Sequence, residues 1–153
     1  MIDPTARIFT RLTMNARSFL LLLFAATSLL FGGCNMTKDK AIAESAVAQF
    51  HQQLDKGEFK EIYAAANADF KGATTEKDFL AILEAVHRKL GAVQQANEGG
   101  WSVNSYNLKT NVVLNYNTKF AGGAATESFT FRVENGQATL VGYNINSPTL
   151  ILK

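Results

Sequence analysis

Two side chains carry most of the chemistry this sequence can offer, Cys34 and Glu127. Cys34 is the only cysteine in the chain, so no internal disulfide is open to it. It stands directly after Gly32-Gly33 at the end of an apolar run, where acylation of the thiol would account for it. Glu127 alternates with Phe129 and Phe131 on the apolar face of a strand pattern. A lone carboxyl there would be the one ionisable group of an apolar pocket, placed to hold a ligand group. Proton transfer would need a second acid or base at a fixed distance. The sequence supplies none in a recognisable motif. His51 and His87 lie on separate helical stretches and read as surface or half-buried helix residues. No HExxH, CxxC or paired-histidine spacing occurs. Ser102, Ser105 and Ser128 lack a nucleophile-elbow context. Gly99-Gly100 and Gly122-Gly123 read as bulge and turn glycines, not as a phosphate loop. No catalytic residue, metal or cofactor is therefore expected.

The elements that position these residues begin with an export leader. Arg7, Arg11 and Arg17 precede the apolar run Phe19–Phe31, and small residues follow it, which is the order of a secretory signal. The run is too short for the roughly 20 residues of a spanning helix. Leu30-Phe31-Gly32-Gly33-Cys34 resembles the lipobox of bacterial lipoproteins, departing from it at Phe31, where Leu is usual. That resemblance implies a diacylglycerol on Cys34 and removal of the peptide before it. Asn35 in place of Asp implies the outer membrane, facing the periplasm, if the host is Gram-negative. Residues 1–33 are thus expected to be leader, with Met14 as an alternative start. Residues 34–38 would be a polar tether, 39–147 the domain and 148–153 a tail.

Without residues 1–33 the chain has 120 residues, enough for one domain with a sizeable core. Arg7, Arg11, Arg17 and Asp3 account for the whole net charge of +2. The remainder is neutral and offers no basic patch for nucleic acid.

Apolar residues at helical spacing predict a helix over 39–56 (Ala43, Val47, Phe50, Leu54), a second over 58–68 and a third ending at Gly91. A capping-box pattern, Thr75-Glu-Lys-Asp78, opens the third. From Ala92 onward Val, Phe, Tyr, Asn and Thr predict strands over 101–108, 111–121, 124–134 and 137–146. Ala92–Asn97 is either an extra edge strand or the start of a long bent first strand, with Gly99-Gly100 as its bulge. Asn135-Gly136 is a strong hairpin signal, and Gly122-Gly123 and Lys109-Thr110 read as further two-residue turns. These turns would set Phe131 opposite Leu140, Phe129 opposite Gly142, Tyr116 opposite Phe129 and Val103 opposite Tyr116.

The expected fold class is α+β, three N-terminal helices on a curved antiparallel sheet of about four strands. The order resembles the nuclear transport factor 2-like (cystatin-like) superfamily, a cone of helices and sheet. Leu90-Gly91, Tyr116, Glu127-Ser-Phe129 and Gly142-Tyr143 resemble small bacterial lipoproteins of uncharacterised function with that fold. In the superfamily ligands enter the open end of the cone and sheets commonly dimerise. The expected register aligns Trp101, Thr118, Glu127 and Asn144 beside Val103 and Tyr116 as a candidate ligand pocket. On the other sheet face Val113, Val141, Tyr143 and Ile145 form a candidate interface, for a homodimer or another protein, unless residues 149–153 cover it. The functional expectation is a membrane-anchored envelope lipoprotein that binds a protein or a small apolar ligand. The alternative is an isomerase- or dehydratase-type enzyme using Glu127 and Tyr116.

Overall fold

The computed structural model describes residues 34–106 and 109–152. The expected leader, and with it the signal-peptide reading, lies outside the described residues. Helix α1 spans Cys34–Lys56, so residues 34–38, expected as a tether, belong to the helix. Its buried face is the expected one, Ala43, Val47, Phe50 and Leu54. Gly57 ends it with φ of 73°, a backbone state that costs glycine little.

The expected second helix is two helices. α2 is Phe59–Ala65 and α3 is Ala68–Ala73. Ala66 and Asn67 adopt extended backbone between them. The Asn67 side chain accepts a 3.0 Å hydrogen bond from the Asp69 amide and so caps α3. Helix α4, Glu76–Leu90, is opened by the expected cap, with Thr75 Oγ1 accepting from the Asp78 amide at 3.2 Å. A fifth helix, α5, is Pro148–Leu152. The three-helix expectation is therefore corrected: among the described residues a helix-rich part of four helices precedes the sheet, and one short helix follows it.

The strands are β1 (Val93–Tyr106), β2 (Lys109–Phe120), β3 (Gly123–Glu134) and β4 (Gln137–Asn146). They form one antiparallel meander in chain order. β1 is the single long strand, with the ladder interrupted between Glu98 and Gly100. Asn135 and Gly136, at φ of 52° and 75°, make the expected tight turn.

The other registers differ from expectation. Lys109 pairs with Tyr106 and Val103 with Val112, so Lys109-Thr110 lies within β2 rather than in a turn. The next turn is Ala121-Gly122, since Phe120 pairs with Gly123. Its docking onto the end of α4 explains the shift. Gly122 N donates to Leu90 O at 2.7 Å, and Ala121 N to Ala92 O at 2.9 Å. The slip of two residues puts Tyr116 opposite Glu127 and Leu114 opposite Phe129. Because the strand period is two, every side chain keeps its expected face.

The β3–β4 ladder differs more deeply. Phe131 pairs with Leu140 as expected, but Thr130 pairs with Gly142, leaving Val141 as an extra residue. This bulge inverts the rest of β4, one residue being enough to exchange the faces. Phe129 now faces Tyr143, not Gly142, and Glu127 faces Ile145. Gly142 leaves no space beside Phe129; it sits against Thr130.

One apolar core joins the helices and the sheet, including Phe50, Leu83, Val86, Leu114 and Phe129. Phe50 meets Phe129 edge to face at 5.1 Å, and Phe70 meets Phe79 at 4.9 Å. Arg132 is buried and ties α3 to the sheet, its Nη1 donating to Asp69 Oδ2 at 2.5 Å. That guanidinium holds the Asp69 carboxyl below its usual range.

A Cβ at Gly122 would stand 2.8 Å from Lys89 O and 3.0 Å from Leu90 O, both backbone, whereas one at Gly72 meets nothing within 4 Å. Gly122→Ala should cost about 1–3 kcal/mol in chemical denaturation by forcing a backbone shift. Gly72→Ala, in α3, should leave stability unchanged or raise it by up to about 1 kcal/mol.

Candidate functional site

The sequence expectation centred on Glu127, and the structure builds a cluster around that residue with different partners. β3 directs Glu127 inward between Phe129 and Ala125, both buried. Its side chain has 0% exposure. Oε2 accepts from Thr118 Oγ1 at 2.5 Å and lies 2.9 Å from His51 Nε2. Oε1 accepts from the Tyr143 hydroxyl at 2.8 Å. A carboxylate accepts only, so His51 Nε2 carries the hydrogen it shares with Oε2.

Four elements contribute one group each. α1 brings His51, β2 Thr118, β3 Glu127 and β4 Tyr143. The aromatic surround is dense. Phe129 stands 5.6 Å from the His51 ring and 5.1 Å from Tyr143, with Phe50 4.8 Å from Tyr143. Burial, followed by the neighbouring Glu127 charge, pushes the Tyr143 phenol well above its usual range.

The expected pocket residues are only partly gathered. Thr118 and Glu127 touch. Tyr116 is half-buried on the same face, its ring 6.5 Å from His51, and burial raises its phenol. Tyr143, not Tyr116, supplies the phenol that reaches Glu127. Trp101 is opposite Leu114, well along the strand from the cluster, and 42% exposed. Val103 is half-buried against the core. Asn144 is exposed and pairs with Ser128, because the Val141 bulge turned it outward.

The same bulge dissolves the expected interface. Tyr143 and Ile145 pack against the core, as does Leu150 of α5. Val113 stays on the outer face opposite Ser102 and Thr130, and Val141 is the bulged residue.

Among the described residues, the hollow that Glu127 borders does not receive its carboxyl. That hollow, of about 220 Å³, is bordered by Tyr116, Glu127 and Asn144, together with Asn115, Asn117 and Ser128 of the outer face. The Glu127 carboxyl has no exposed surface. A wider cleft of about 860 Å³ lies at the β2–β3 turn, and Lys119 is the one ionisable residue among those lining it. Among the described residues no group of three metal-binding side chains occurs. No described helix is long and apolar enough to cross a membrane.

A family model described as a protein of unknown function, DUF4019, matches residues 46–143. This chain belongs to the DUF4019 family. No curated protein matches it. The DUF4019 match opens within α1 ahead of His51 and closes on Tyr143, so it contains all four members of the buried cluster. Cys34 lies outside it.

Sequence reasoning missed two members, Tyr143, which it set on the outer face, and His51. His51 follows Val47 by four residues and precedes Leu54 by three, which places it at the edge of the buried face of α1. That spacing was the available signal.

Removing Glu127 would leave three polar groups without their acceptor in an apolar core. Glu127→Ala should cost about 3–5 kcal/mol, and Tyr143→Phe about 1.5–3 kcal/mol, both read by urea denaturation. The phenol shift adds a pH signature. The native state keeps the Tyr143 proton where the unfolded chain, titrating near pH 10 (roughly the ordinary phenol value), has lost it. Its contribution is complete below that pH and is lost as pH rises through the native value. Wild-type stability should therefore fall more steeply above about pH 10 than that of Tyr143→Phe. Equal slopes would contradict the buried phenol.

Proposed function

We propose that this DUF4019 protein is a lipid-anchored envelope protein whose domain binds a protein or small apolar partner without catalysing a reaction. The closed state of the Glu127 site carries the second half of this reading. A general acid or base must come within hydrogen-bond reach of the proton it moves. Both Glu127 oxygens are instead engaged by His51, Thr118 and Tyr143, inside an aromatic shell. Such a network fixes the mutual position of the four elements and leaves binding to the surface.

The anchor half rests on the leader. Positive charge, a short apolar run and small residues lead to the one cysteine, in the order that export and acylation require. Two acyl chains give stable attachment where one gives only marginal binding. In a Gram-negative host the site of action would be the periplasmic face of the outer membrane.

Metabolic labelling with an alkynyl palmitate should mark the wild type and not Cys34→Ala. Equal label on both chains, or none on either, would contradict the anchor. In a deletion strain, Glu127→Gln present at wild-type level should restore any phenotype fully. Failure at that level would contradict the non-catalytic reading.

A further inference from the structure

We infer that the end of the domain bearing Met36, Lys40 and Trp101 docks on a lipid surface, with the Trp101 indole at headgroup depth. The inference rests on the Cys34 anchor proposed above and specifies which face of the domain meets the membrane. Trp101 is the sole tryptophan of the chain. It stands on the sheet's edge strand, β1, and by register shares the face of the buried Leu114, yet it is 42% exposed. Met36 is 53% exposed. Lys40 follows Met36 by four residues in α1, hence on the same side of the helix. Its Nζ lies 5.6 Å from the centre of the Trp101 ring. Two exposed apolar side chains thus flank one ammonium group at one end of the molecule.

The chain's reach says what covers them. From Cys34 to Met36 is two residues, at most about 7 Å however the backbone runs. The headgroup zone on each side of a bilayer is of comparable thickness, roughly 5–7 Å. A diacylglycerol at Cys34 therefore holds Met36 within the interfacial zone, and Trp101 lies across Lys40 from it. An indole favours that zone because its ring is apolar and its N–H can still bond to headgroups and water.

The charges indicate which lipid chemistry is read. Lys40 is ion-paired with Glu44, and with Glu98 at 2.8 Å. Lys38 stands beside Asp39. The patch carries no excess positive charge, so its contact is with interfacial apolar surface and not with anionic headgroups.

The test uses the full lipidated chain reconstituted in phosphatidylcholine vesicles carrying bromines near the glycerol backbone. The sole tryptophan is the reporter. Flotation with the vesicles, a blue-shifted emission relative to Cys34→Ala in solution, and roughly two-fold quenching are expected for an interfacial indole. Met36→Asp should weaken the quenching while flotation persists. Flotation with an unquenched, water-like emission would overturn the docking and leave the anchor standing. Quenching that required anionic lipid would overturn the apolar contact. Failure to float would overturn both the anchor and this inference.

Discussion

A carboxyl group without exposed surface is compatible with a stable fold only if its oxygens are fully engaged, because desolvating the charge costs several kcal/mol. Glu127 meets that condition with three donors from three other elements. Each donor sits where it does for a separate reason. α1 has an apolar stripe whose edge is His51. β2 pairs in a register that sets Thr118 on the inner face. β4 bulges at Val141 and so turns Tyr143 inward. A slip in any of the three would strand the charge. The network thus selects one arrangement of helix and sheet from those that apolar burial alone would tolerate.

The aromatic core fits around that network. Phe50, Phe129 and Tyr143 are mutual neighbours at 4.8–5.1 Å, and each also borders the His51–Glu127 pair. Dispersion and burial supply most of the stabilisation there, on the order of 2 kcal/mol for each large side chain. The hydrogen bonds add direction. At the far end Arg132 and Asp69, with Asn67 Nδ2 on Thr139 Oγ1 at 3.0 Å, tie α3 to β3 and β4. A buried polar junction at Glu127 and a half-exposed one at Arg132–Asp69 thus border the apolar core.

Much of this was legible in the sequence, and the misses have physical causes. The buried face of α1, the α4 cap at Thr75 and the Asn135-Gly136 turn follow from local chemistry. The Ala121-Gly122 turn does not, because contacts with the end of α4 decide it; parity rescued the faces. Parity could not rescue β4. Nothing local distinguishes Val141 as an extra residue, so the sequence pattern placed Tyr143 and Ile145 on the outer face and Asn144 on the inner. The break between α2 and α3 was missed, because the cap at Asn67 sits inside what reads as one helical stretch. Glu127 was found as the inward carboxyl, but its partners required the bulge and the edge position of His51.

For function, the consequence is a division of labour. The most chemically suggestive residues of the domain are engaged internally, which leaves the proposed binding to the surface. A double-mutant cycle on His51→Phe and Glu127→Leu tests the central claim most directly. Each single change strands a partner, while the double change removes the pair and leaves only the Thr118 and Tyr143 hydroxyls without their acceptor, so it should cost less than the two single losses summed. A coupling energy of about 1.5–3 kcal/mol, with the double variant more stable than the sum of the singles implies, is expected. Additive losses would show that Glu127 and His51 are independent neighbours and that the fold does not depend on their pairing.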